Sequence, residues 1–254
     1  MEIRVPIEGN EKLRRIIDIV NSNETLRTLW RCSNVTAIDR LLINDHGPVH
    51  VKIVANIALR ILRILKKRGI TPNICKDYDL DYEDAEVVVF LAAVLHDIGH
   101  AVHRDEHESI SVVLSSQILP NILLKVYDEE KATIIMSEVL HAIYAHRAEV
   151  KPLTIEAGII KVSDALDMEE GRARIPFEAG STSIHAISAI SIEEVRIDEG
   201  EEKPVRIDIT MENPAGMFQV DFLLKNKLAN NPVRDFFEIY VHSKSGALRE
   251  VKVL

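Results

Sequence analysis

Nine consecutive apolar residues at positions 87–95, VVVFLAAVL, run without a break into His96 and Asp97. A stretch of that length is too short to span a bilayer, and a helix apolar on every face belongs at the centre of a protein. Such a helix carries the imidazole and the carboxylate at its end into the interior. Neither is stable there without a partner, so the fold has to surround this segment with further layers and supply a cation or hydrogen-bond donors where it stops.

The flanking sequence supplies those layers. From residue 10 to about 167 the apolar positions recur with a period near 3.6, which predicts helices at 11–20, 24–30, 49–67, 82–95, 107–119, 129–145 and 154–166. Gly47-Pro48 opens one of them and Lys66-Lys67-Arg68-Gly69 closes it, while Asp81 with Asp84 follows the capping-box spacing at the start of the central one.

Past about residue 179 the period changes to two. Segments 188–197, 205–211, 218–224 and 236–244 alternate apolar and polar residues, with turn-forming stretches at 198–204 and 212–216 between them. The expectation is a mainly α chain: a helical bundle over residues 1–180, then a small α+β domain over 181–254 with a mostly antiparallel sheet and a short helix within 226–237. Val220, Phe222, Phe237, Ile239 and Val241 would face its buried side. Exposed strand edges need covering, so this tail is expected to pack on the helices or on a second subunit, in a homo-oligomer. Its role would lie in assembly or in shaping the substrate entrance.

Eight of the ten histidines fall in the helical part, at positions 46, 50, 96, 100, 103, 107, 141 and 146. His46 and His50 are four apart, on one face if the helix starts near Gly47. His141 and Asp164 each lie late in an otherwise apolar helix, and Gly99 lets the chain turn between Asp97 and His107. So many imidazoles at helix ends and in short loops of one helical region suggest a shared purpose.

Composition removes competing readings. The two cysteines, Cys32 and Cys75, form no CxxC pair, which argues against a disulfide framework or a thiolate zinc site. With 31 basic and 40 acidic residues the net charge is −9, unsuited to bulk nucleic-acid binding, although a metal can reverse the field within one pocket. The N-terminal MEIRVPIEGNEKLRR carries no apolar signal core, and the expectation is a soluble cytoplasmic protein without membrane contact.

The order His50, His96-Asp97, Asp164, within HVKIVA, LHDIGH and VSDALD, resembles the H…HD…D signature of the HD superfamily of metal-dependent phosphohydrolases. The resemblance covers about half the chain and is silent on the tail. It implies that His50, His96, Asp97 and Asp164 bind one metal, and that His107 and His141 add a second bridged by Asp97, with either able to contact phosphate instead. His46 is either a further ligand or a helix-start residue ahead of Pro48; a histidine there departs from the carboxylate of some binuclear members. Asp97 would also orient the nucleophile, and His100 would donate a proton or touch phosphate. His146, Arg147, Arg172 and Arg174 are candidate phosphate contacts; the alternative for His146 and Arg147 is a basic residue favoured at an exposed helix end, and for Arg172 and Arg174 a surface charge paired with Glu169 or Glu170. His103 is expected to be solvated, and His185 and His242 structural.

An imidazole and carboxylate set without thiolate suits one or two divalent ions among Mn, Fe, Co, Ni and Zn. The implied activity is hydrolysis of a phosphate ester of a nucleotide or another small molecule. A di-iron oxygenase and a non-catalytic nucleotide sensor are the alternatives.

Overall fold

Helix α5 (Tyr82–Leu95) is the axis on which the other helices are laid. The computed structural model describes residues 2–169, 188, 190–243 and 251–254. A capping box between Asp81 and Asp84 starts α5, and every side chain from Asp84 to Leu95 is buried. Around it pack α1 (Glu11–Ser22), α3 (Pro48–Lys67), α7 (Glu129–Ala145) and α8 (Ile155–Leu166). Four helices can cover all sides of a fifth only if that fifth has no polar face, which is what nine apolar residues in a row supply.

The remaining helices buttress the end of α5. From α2 (Glu24–Asn34), Trp30 donates its indole N–H to the Val94 carbonyl at 2.8 Å, and Ser33 donates to the Asp97 carbonyl at 3.3 Å. A 3-10 turn (Ile98–Ala101) follows Asp97 and leads to α6 (His107–Leu123). At Gly99 a Cβ would lie 2.1 Å from the His107 carbonyl oxygen, so only glycine lets α6 cross this closely. All seven helices expected from the sequence form, with ends displaced by at most about a turn; the short α4 (Asn73–Tyr78) was not expected.

The C-terminal part forms a four-stranded sheet in the order β1 (Ile192–Glu199), β2 (Val205–Met211), β3 (Phe237–Ser243), β4 (Val251–Lys252). Its outer pairs are antiparallel, but β2 and β3 run parallel, with Val205 opposite Phe237. Parallel neighbours need a long crossover, and here residues 212–236 provide it. The strand expected at 218–224 is therefore helical: a π-helical turn (Gln219–Leu224) continues into α9 (Lys225–Ala229). Val220 and Leu224, four apart, face inward while Phe222 is exposed, a helical rather than an alternating pattern. Phe237, Ile239 and Val241 are buried as a strand face requires.

The sheet lies on α3, where Arg60 binds Asp198 at 2.6 Å and the carbonyl of Ile197, and Lys67 binds Glu199 at 2.9 Å. One continuous apolar core includes residues of both parts. Among the described residues no helix is long and apolar enough to cross a membrane.

Candidate metal centre

The end of α5, the first turn of α3, the start of α6 and the last turns of α7 and α8 converge on one buried cluster. His50 and His96 face each other through Nε2 atoms 3.1 Å apart. Their Nδ1 atoms are engaged elsewhere, His50 with Asp167 Oδ2 at 2.5 Å and His96 with the Ala93 carbonyl at 2.8 Å. Those acceptors put the proton on Nδ1 in both rings and turn two unprotonated nitrogens towards each other. Asp97 Oδ2 lies 3.2 Å and Asp164 Oδ1 3.3 Å from His50 Nε2. Lone pairs and carboxylate oxygens so close together are compatible with a cation between them. The donor set fits a divalent metal: imidazole and carboxylate, each oriented by a further hydrogen bond.

The same construction is repeated alongside. His107 Nδ1 donates to the Arg104 carbonyl at 2.9 Å and His146 Nδ1 to the Ile143 carbonyl at 2.5 Å, leaving their Nε2 atoms 3.4 Å apart. Both face Asp97 Oδ1, at 3.4 and 3.7 Å. Asp97 therefore offers one oxygen to each pair of histidines. Burial alone would raise its carboxyl pKa, but His96 and His46 hold it well below the usual carboxylate range. For Asp164 burial acts in the same upward sense, and Lys227, then His50 and His96, pull it well below.

The loop before α3 is fixed by Asp45, whose Oδ1 accepts from the Gly47 and His50 amides at 3.1 Å, and by Asn34, which bonds Asp45 at 2.5 Å and the His46 amide at 3.0 Å. This brings His46 Nδ1 to 2.7 Å from Asp97 Oδ2, joining His46 to the cluster. His100 stacks between His46 and His107, each ring 4.2 Å away, with its Nε2 3.8 Å from Asp97 Oδ1. Burial pushes its pKa down to about 2, so it is neutral. Its buried Nδ1 has no hydrogen-bond partner.

The structure brings His46, His50, His96, Asp97, His100, His107 and Asp164 together, but not His141. His141 Nε2 accepts from the Leu153 amide at 3.1 Å, and His146 takes the place beside His107 that the sequence reading gave to His141. At about 100° per residue the two are well over a quarter turn apart on α7, so one helix cannot aim both at the same point. His146, expected as a phosphate contact, thus lies inside the cluster. Arg147 pairs with Glu106 at 2.9 Å and Glu149 at 3.2 Å. His103 is exposed, and His242 binds Asp208 at 2.7 Å on the sheet. Arg172, Arg174 and His185 lie outside the described residues.

Besides Asn34 and Asp45, further contributors escaped the sequence reading. Asp167, in the quoted VSDALD, orients His50; Glu108 Oε2 lies 3.4 Å from His107 Nδ1; and Lys227 of α9 binds Asp164 Oδ2. The spacing of Asp164 and Asp167, three apart at a helix end, was a usable signal for the first. Nothing in the sequence signalled Lys227, because its approach depends on the crossover between β2 and β3. The tail, expected to serve assembly or to shape the substrate entrance, brings Lys227 to Asp164.

The family model of the HD domain matches residues 49–169. The uncharacterized protein MJ1020 of Methanocaldococcus jannaschii is 45% identical over 234 residues, covering 92% of this chain and 90% of that protein. Ribonuclease Y of Thermoanaerobacter pseudethanolicus is 37% identical over 83 residues, 33% of this chain and 14% of that protein.

Proposed function

This chain belongs to the HD superfamily, and from that premise we propose that it is a metal-dependent phosphohydrolase acting on a phosphate ester of a nucleotide or a related small molecule. The observation that carries the proposal is the pairing of imidazoles around Asp97. Four Nε2 atoms, each with its Nδ1 tied back, face the two oxygens of one carboxylate.

His50, His96, Asp97 and Asp164 would hold one divalent ion; Asp97, His107 and His146, with Glu108 or His100 at hand, would hold a second. When bound, such a pair supplies a water acidified to a pKa of roughly 7 and positive charge against the phosphoryl oxygens. The protein's own groups do the rest. Asp167 fixes the orientation of the His50 ring, the buried wall of α5 excludes bulk water behind the site, and Asp97 keeps both halves in register. His100, held neutral by burial, suits an Nε2 that accepts rather than one that donates, and Arg104 Nη1 stands 3.3 Å from it.

The likeness to ribonuclease Y over part of the chain favours phosphoester chemistry. A net charge of −9 favours a small phosphorylated substrate over a polynucleotide held along a basic surface. Metal analysis of the purified protein, combined with a phosphatase screen over a nucleotide panel, tests the reading. One or two equivalents of transition metal with phosphate release support it. Iron accompanied by oxygen consumption would replace it with oxygenase chemistry, and metal-free protein inert on every substrate would refute it.

A further inference from the structure

We propose that Lys227, delivered by the C-terminal part of the chain to the edge of Asp164, is the residue that grips the substrate's phosphoryl group at this centre; the proposal rests on the metal-centre reading above. Asp164 divides its two oxygens. Oδ1 faces His50 and His96 at 3.3 and 3.7 Å, and Oδ2 takes the Lys227 ammonium. A metal at the first oxygen leaves the second with lysine. Lys227 is therefore compatible with a loaded site and stands beside it.

The position is built. Leu224 and Leu228, on either side of Lys227, are buried, and Asn231 Nδ2 donates to the Gly158 carbonyl of α8 at 3.0 Å and to the Lys227 carbonyl at 3.3 Å. At Gly158 a Cβ would sit 2.4 Å from Asn231 Oδ1, so α8 carries no side chain where this segment docks. The lysine side chain keeps only 15% of its surface exposed, and its charge bears on His146 as well as on Asp164.

An ammonium has three N–H donors. Asp164 takes one, and among the described residues no other acceptor engages Nζ. Two donors and a largely desolvated positive charge thus remain next to a metal pocket. A phosphoryl group brings acceptor oxygens and negative charge, the complement to both. Among the described residues, Arg147, one of the three arginines expected for this task, is occupied by two glutamates, and Arg104, near His46 and His100, is on an exposed loop without comparable anchoring.

The test uses the full chain loaded with Mn2+ and inorganic phosphate as probe. Lys227→Met should bind as many equivalents of Mn2+ as wild type by calorimetry, while its phosphate affinity, read from the relaxation of the 31P signal, falls about tenfold or more, the loss of one charge-assisted hydrogen-bonding partner. Lys227→Arg should recover part of that loss. In the wild type, Mn2+ with phosphate should protect Lys227 from reductive methylation measured by mass spectrometry, a readout independent of how any variant folds. Full Mn2+ binding with unchanged phosphate affinity, or methylation indifferent to phosphate, overturns the proposal and leaves the metal centre standing. So does a Lys227→Met protein that loses Mn2+ but, once saturated, binds phosphate as wild type does, since lysine would then act only by positioning Asp164. Wild-type protein that takes up no Mn2+ would overturn the metal-centre reading, and this proposal with it.

Discussion

His50 and Asp167 are joined by an Nδ1 to Oδ2 contact of 2.5 Å between groups 117 positions apart in the chain, one at the first turn of α3 and the other at the end of α8. The bond sets which nitrogen of His50 carries the proton and turns the other towards His96 and Asp97. A carboxylate behind a metal-binding imidazole raises its basicity, and removing such a partner commonly costs about 10- to 100-fold in metal affinity. Asp167→Asn should therefore weaken metal binding by about that factor with the fold retained, as competition titration against a chelating dye and circular dichroism would report. Unchanged affinity would mean that His50 is not a ligand.

Asp97→Ala should abolish metal binding and hydrolysis together, because this carboxylate faces His50 and His96 with one oxygen and His107 and His146 with the other. The metal content of the purified variant settles it. One equivalent retained with high affinity would show that the two halves of the cluster bind independently.

Much of this site was legible in the sequence because its ligands sit at helix ends that strong apolar periodicity already marks. His96 and Asp97 are where they are because α5 has no polar face, and Gly99 is glycine because α6 crosses there. What could not be read is what rotation about one helix or a long crossover decides. The choice between His141 and His146 depends on which face of α7 turns to α6, and the sequence marks only His141 as lying within the apolar helix, His146 coming just past its end. Strand 218–224 was misjudged for a related reason: its apolar residues fit a period of two over so short a length, and only the parallel pairing of β2 with β3 demands a crossover there. Lys227 enters the site through that same connection.

The exchange of His141 for His146 has a direct test. His146→Ala should lower the metal stoichiometry from near two towards one, whereas His141→Ala should leave it unchanged, since His141 is engaged with the Leu153 amide. Metal counts by elemental analysis on both variants, prepared in parallel, check the pair. A loss in His141→Ala alone would reverse the assignment.

Away from the centre, two buried carboxylates predict opposite responses to the same substitution. Glu156 accepts from the Asn73 and Ile74 amides at 3.2 and 2.9 Å; burial pushes its carboxyl above the ordinary value, and these two bonds oppose that rise. Glu138 is 8% exposed and its Oε2 has no partner. Burial first, and then the nearby Glu156, push the Glu138 carboxyl above its ordinary value, with Tyr78 opposing. An acid whose pKa is higher in the folded than in the unfolded protein binds more protons when folded, so its contribution to stability falls as pH rises through that window. Below the unfolded value both states are protonated and nothing is lost; at neutral pH the folded protein carries a poorly matched buried charge. Glu138→Gln should accordingly stabilise the metal-free protein by about 1 kcal/mol at neutral pH and by little near pH 4, as urea unfolding at the two pH values would show. Glu156→Gln should destabilise it, because the amide turns a donor towards backbone N–H groups. A Glu138→Gln gain of the same size at both pH values would show that the carboxylate is not the source of the cost.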